Sequence, residues 1–273
     1  MRTGILTCLA ALVLLALTLA ALLAPWFSPG DPLAMVARPL LPPFEDWARP
    51  LGTDRLGRDV LAALIHGARV SLSVALAAAL AATLVGSIVG TLAGYVGGWV
   101  DILLMRLADA FRTVPNFVLA LALVSVFGPS LSSFVIAIGL SSWTGPARLV
   151  RAEVLSLKSR DFVDACRVLG MPGWRIALVE VLPNAVAPAI ALGAVTVASA
   201  ILIETALSFL GLGDPNSASW GQMIAEGRAV MRSNWTLSAI PGVAVVAAAL
   251  SVNILADALS ERLAPRRAVG AGS

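Results

Sequence analysis

Six apolar stretches separated by polar punctuation run along this chain. The first covers residues 5–24 and ends at Pro25-Trp26, and a polar, proline-containing segment follows from 28 to 69. The second, 70–95, is rich in alanine and glycine and sets Gly86, Gly90 and Gly94 at four-residue intervals. Small residues one turn apart let a neighbouring helix backbone come close. The third stretch, 116–127, is short for a membrane crossing unless its helix begins before Pro115. Gly128-Pro129-Ser130 predicts a tight turn. The fourth, fifth and sixth stretches are 131–150, 185–203 and 237–259. A helix needs about 20 apolar residues to cross a bilayer core. The pattern therefore predicts an all-α polytopic membrane protein with about six transmembrane helices. Residues 1–69 would hold the first helix and an external linker. Residues 70–273 would form the transmembrane core, with its longest polar loop at 151–184.

Composition strengthens this picture. Of 273 residues, 59% are hydrophobic and 13% charged, with a mean hydropathy of +0.90. A soluble domain carries about 25% charged residues. The net charge of +3 does not point to nucleic acid, because the cationic residues are scattered and flank apolar runs. Such residues set topology, with the excess on the cytoplasmic side. A cytoplasmic N-terminus places twelve of the 19 Lys and Arg residues inside and seven outside. An even number of spans then makes the C-terminus cytoplasmic too. The first apolar run is nearer the length of a span than of a cleavable signal, and it reads as an uncleaved helix.

The chain lacks common catalytic and metal-binding patterns. Lys158 is the only lysine, and no P-loop surrounds it. No Gly-x-Ser-x-Gly elbow occurs. His66 is the sole histidine, and Cys8 and Cys166 have no metal-ligand spacing. Catalytic residues, a metal site and a cofactor bound by this chain are not expected. Glu204 and Asp257 stand near the ends of the fifth and sixth spans, where ionisable groups are candidates for a pathway or an interface. Trp143, Trp220 and Trp235 are expected to anchor the membrane–water interface.

The loop at 151–184 is the most informative segment. Residues 161–169 predict a short amphipathic helix, with Phe162, Ala165, Cys166 and Leu169 on one face and Asp161, Asp164 and Arg167 off it. Gly170 stands where a helix C′ residue needs positive φ. Pro172 suits the first turn of a second short helix bearing Trp174, Ile176 and Val179. Leu182-Pro183 would close that helix before the fifth span. A short exposed helix with an apolar face fits a groove in another protein. Upstream, Gly52 and Gly57 predict tight turns, and Asp59 predicts an N-cap for a helix running to Gly67.

The spacing Asp164-Ala165-Cys166, three residues, Gly170, then Leu182-Pro183 resembles the EAA loop of ABC importer permeases. That family pattern is Glu-Ala-Ala, three residues, Gly, nine residues, Ile, one residue, Leu-Pro. This chain departs from it with Asp164 for Glu, Cys166 for Ala and Glu180 for Ile. A second stretch runs Gly52-Thr53-Asp54-Arg55-Leu56-Gly57-Arg58-Asp59. It is similar to the signature before the second helix in permeases for dipeptides, oligopeptides and nickel. Arg69-Val70-Ser71-Leu72, Arg148-Leu149-Val150-Arg151, Ser219-Trp220-Gly221 and Asn253-Ile254-Leu255-Ala256-Asp257 extend the likeness over most of the chain after residue 50, to the "C" member of the permease pair. The resemblance implies a type I ABC importer fold in a bacterial inner membrane. It implies a second similar permease, two ATP-binding subunits holding ATP and Mg, and a solute-binding protein outside. The 151–184 loop would be the coupling element that docks on an ATPase subunit. Peptides are the expected cargo and nickel the alternative. An ion-coupled secondary transporter, a different class, would show paired repeats with broken helices instead.

Overall fold

The structure, a computed structural model, describes residues 2–263. Arg266, Arg267 and the expected cytoplasmic C-terminus lie outside the described residues. All regular structure among the described residues is helical. In chain order the helices are α1 (Arg2–Leu22), α2 (Ala24–Phe27), α3 (Val60–Val96), α4 (Gly98–Thr113), α5 (Asn116–Phe127), α6 (Leu131–Ser142), α7 (Thr144–Lys158), α8 (Asp161–Val168), α9 (Gly173–Arg175), α10 (Leu182–Leu207), α11 (Trp220–Arg228) and α12 (Thr236–Leu263). Single π-helical segments, Ile176–Val181 and Ser208–Leu212, flank α10.

Four helical rods are long and apolar enough to cross a bilayer by themselves: α1, α3, the rod Gly173–Leu212 around α10, and α12. At the expected third span, α4 and α5 meet at an angle of 87°, and only taken together are they long and apolar enough for one broken span. Pro115 supplies the break, and its predecessor Val114 is extended at φ −97°, ψ 129°, as a residue before proline prefers. The third helix therefore stays at 12 residues. At the expected fourth span, α6 is an apolar helix of only 12 residues. It runs on through Trp143, helical at φ −66° and ψ −24°, into α7, which carries Arg148, Arg151, Glu153 and Lys158.

Two boundaries differ from the expectation. The second helix begins at Val60 rather than residue 70, and it runs unbroken through Gly67 and the 69/70 boundary to Val96. Asp59 does cap it, accepting from the N–H groups of Leu61 and Ala62. The expected stop at Gly67 is absent; Gly67 is buried within the helix, where a Cβ would lie 3.2 Å from the Trp220 ring. The second short helix of the loop is likewise not closed at Leu182-Pro183. It passes through the π segment directly into α10 as one 40-residue rod. Pro183 has no N–H to donate. The Leu182 N–H reaches back five residues to the Ala177 carbonyl, and the Asn184 side chain donates to the Glu180 carbonyl at 2.7 Å. These bonds keep a proline-bearing stretch helical.

The central helix is α3, packed against α6, α7 and α10, while α12 joins α10 to α1 and α11. Its buried face is mostly small: Ala68, Ser71, Ala75, Ala78, Ala82, Gly86 and Gly90. Lipid gives helices no hydrophobic reason to associate, so close backbone contact has to hold them. The glycine stripe does this against α7. A Cβ on Gly86 would lie 2.6 Å from the Trp143 carbonyl oxygen, and one on Gly90 would lie 2.4 Å from that of Ala147. A Cβ on Gly94 would lie 2.9 Å from a Val154 methyl. At the end of α3, Lys158 donates to the Tyr95 carbonyl at 2.5 Å, satisfying an orphan helix-end acceptor.

Trp143 and Trp220 do not sit at an interface. Trp143 is buried edge-on against Phe111, with ring centroids 5.5 Å apart. Trp220 is fully buried and donates from Nε1 to the Leu64 carbonyl at 3.0 Å. Packing across α3 takes the apolar ring area that a headgroup layer was expected to take. Trp235 is exposed.

Candidate functional site

The loop between the fourth and fifth spans folds as an elbow. Helix α8 carries Asp161 and Asp164 in its first turn and Arg167 in its last, each at the end of the helix dipole that favours it. It ends in a Schellman motif. The Gly170 N–H donates to the Arg167 carbonyl and the Met171 N–H to that of Cys166, with Gly170 at φ +76°. Gly170 stands in open space, with no atom within 4 Å of a Cβ built on it. It is glycine for backbone conformation alone. Pro172 is the N-cap of α9 rather than a residue within its first turn.

The faces of α8 differ from the expected division. Val163, not singled out from the sequence, is the fully buried anchor. It packs with Val150, Val154, Leu157, Ile176, Val181 and Ala185. Cys166 and Met171 pack on that same cluster, so Cys166 belongs to the base of the elbow. Ile176 is buried too, while Trp174 and Val179, expected beside it, are exposed. The free apolar crown is Phe162, Val168, Leu169 and Trp174, with Val168 87% exposed. Asp164 and Ala165 lie exposed on the same helix. The Asp164 carboxylate takes a 2.5 Å ion pair from Arg167. Leu182 and Pro183 lie at the start of α10, within the continuous rod. The elbow is thus a stiff knob, apolar at its crown and fixed to a helix that crosses the whole molecule.

The segment Gly52–Asp59 forms a clasp at the other end of α3. Thr53 is fully buried. Its hydroxyl donates to the Arg38 carbonyl at 2.6 Å and accepts from the Leu41 N–H at 2.9 Å. Asp54 accepts from the N–H groups of Leu56 and Arg58, both at 2.8 Å. Gly52 and Gly57 have φ of +75° and +80°, and a Cβ on either would lie 2.1 Å from a carbonyl oxygen. Arg58 reaches Glu226 of α11 at 3.5 Å. Every residue of this signature except Arg55 and Leu56 has an identifiable part in folding residues 31–59 onto α3 and α11.

Glu204 and Asp257 are not brought together. Glu204 is 2% exposed. It accepts from Ser71 of α3 at 2.9 Å and from Ser208 at 2.8 Å, so it ties two core helices. Asp257 is exposed on the last turns of α12. The polar segment 214–235, between the fifth and sixth spans, contains α11, which packs against α10, α12 and α3. Cys8 and Cys166 are free thiols, and no cluster of metal-ligating side chains occurs among the described residues.

The chain is thus a helical membrane protein with an exposed apolar elbow just ahead of α10. Residues 82–269 match the family described as binding-protein-dependent transport system inner membrane component, and the chain belongs to that family as a permease subunit. It is 38% identical over 262 residues to the di/tripeptide transport system permease protein DppC of Pseudomonas aeruginosa (strain UCBPP-PA14), covering 93% of this chain and 86% of that protein. It is 40% identical over 252 residues to the dipeptide transport system permease protein DppC of Escherichia coli (strain K12), covering 90% and 84%.

Proposed function

We propose that this chain forms half of the transmembrane passage of an ATP-driven importer for dipeptides and short oligopeptides. Its partner is a second, similar permease. Two ATP-binding subunits bind ATP and Mg on the cytoplasmic side, and a solute-binding protein delivers cargo from outside. The chain is not itself an enzyme. The cationic distribution supports cytoplasmic termini, which puts the elbow on the ATPase side and the clasp outside.

The observation that carries the coupling role is the geometry of the elbow. Its apolar crown points away from the body, while Val163 and the Schellman turn hold its base. A push on α8 passes through the π segment into the 26 residues of α10, about 39 Å at 1.5 Å per residue. That rod meets α3 at Glu204 and Ser71. Closure of the ATPases would move the crown, and the rod would carry the movement to the opposite end. The peptide cargo rests on the two relatives named above.

Uptake by the complete transporter in proteoliposomes tests the cargo. Labelled dialanine should accumulate when ATP is inside and loaded binding protein outside, and excess nickel should not compete. Accumulation of nickel without dipeptide would replace the peptide reading with the nickel one.

A further inference from the structure

A polar groove of about 370 Å³ opens where the third span breaks. It lies between the α4–α5 bend, the α6–α7 junction and the middle of α10. Its polar lining is Arg112, Asn116, Ser142, Thr144, Thr196 and Ser199, and no lining residue is acidic. Thr196 and Ser199 donate their hydroxyls to their own helix, to the carbonyls of Leu192 and Val195. Arg112, Asn116, Ser142 and Thr144 are left with donors to offer.

Three features make this more than a gap in an isolated subunit. Thr144 is only 5% exposed; it lines the groove, and its hydroxyl makes no side-chain hydrogen bond among the described residues. The N-terminus of α5 faces the groove at Asn116, and no side chain caps it. Such an end carries unpaired N–H groups and a partial positive charge. Arg112, exposed on the last turn of α4, adds a full positive charge at the same bend. Cation, helix end and unpaired hydroxyl all favour one kind of ligand, an anionic oxygen group.

We infer that this groove receives the C-terminal carboxylate of the cargo peptide during translocation, with Arg112 as its principal partner and Asn116 and Thr144 as neutral donors. The lack of an acidic side chain makes the groove selective for the carboxylate end over the ammonium end. This inference rests on the peptide reading above. A phospholipid headgroup would satisfy the same donors, and the test separates the two.

The experiment uses the complete transporter in proteoliposomes, with binding protein preloaded with dialanine, for wild type, Arg112→Gln and Arg112→Lys. Loss of a charge-assisted hydrogen bond predicts uptake lowered about tenfold in Arg112→Gln. Stimulation of ATP hydrolysis by loaded binding protein should stay at the wild-type level, and Arg112→Lys should restore most of the uptake. Unchanged uptake in Arg112→Gln would overturn the inference. So would joint loss of uptake and ATPase stimulation, which marks a structural role. Loss of co-purifying phospholipid at unchanged uptake would assign the groove to a headgroup instead. If wild-type vesicles take up no dipeptide, the cargo reading fails separately. The groove is then read by labelling a Ser199→Cys transporter, with Cys8→Ser and Cys166→Ala removing this chain's own free thiols, with anionic and cationic thiol reagents. Arg112 should favour the anionic reagent about tenfold over the Arg112→Gln background, and equal ratios would overturn the inference.

Discussion

At the scale of single residues, the cost of each position follows from what surrounds it. Glu226 lies on α11, outside the membrane-spanning helices. Burial pushes its carboxyl above the ordinary value of 4.5, and the opposing charge of Arg58 only partly offsets this. A raised carboxyl pKa means that the folded state holds its proton more tightly than the unfolded state does. The associated stability is therefore present below pH 4.5 and lost as pH rises through the folded pKa. Glu226→Gln removes this dependence. The change in unfolding midpoint from pH 4.5 to pH 7 should be more favourable in the variant than in wild type, as read by tryptophan fluorescence in detergent. Identical changes in both proteins would show that the carboxyl keeps its ordinary pKa. Single residues were also where the sequence misled most. A tryptophan at the edge of an apolar run looks the same whether it faces headgroups or, like Trp220, fills a core. Val163 was one valine among many, because nothing local marks which face of a two-turn helix meets the body.

At the scale of elements, hydropathy found the first, second, fifth and sixth spans, and glycine spacing found the contact of α3 with α7. Their ends were less legible. A window of apolar residues reports the part of a helix inside lipid. Here α3 continues past its lipid-facing part to the Asp59 cap, through polar His66 and Arg69. Proline misled at Pro183, where a π segment absorbs the missing donor, and guided correctly at Pro115, where the chain bends. The groove was not seen because its residues come from five helices in three separated parts of the chain, and no spacing rule links Arg112 to Thr144. The α3–α7 contact makes a sharp comparison. Gly90→Ala puts a methyl 2.4 Å from the Ala147 carbonyl oxygen, a backbone atom that can move only with its helix. It should destabilise the protein by about 1–3 kcal/mol, the cost of overpacking. Gly242→Ala in α12 meets nothing within 4 Å and should stabilise by about 0.5–1 kcal/mol through helix propensity. Chemical denaturation in mixed micelles measures both. Equal effects would mean that the glycine stripe reflects composition alone.

At the scale of the whole molecule, one rod joins the elbow to the Glu204 tie, and one long central helix joins the clasp to the Lys158 cap. These two helices lie against each other along the core, and the groove at the broken third span opens beside the rod at mid-length. A small movement at the elbow would therefore be felt at the groove and at the far end together, as alternating access requires. The elbow's dependence on Gly170 tests this central claim most directly, because no neighbour would crowd a side chain there. Asparagine tolerates positive φ, whereas a β-branched residue is strained by about 1–2 kcal/mol or more. The decisive measurement is co-purification of the ATPase subunits together with dipeptide-stimulated ATP hydrolysis in reconstituted vesicles, for wild type, Gly170→Asn and Gly170→Val. Gly170→Asn should behave close to wild type. Gly170→Val should insert in the membrane normally yet lose most bound ATPase and its stimulation, with Asp164→Ala showing a milder loss of the same kind. Normal assembly and transport by Gly170→Val would contradict the account, because the elbow would then not be the coupling element.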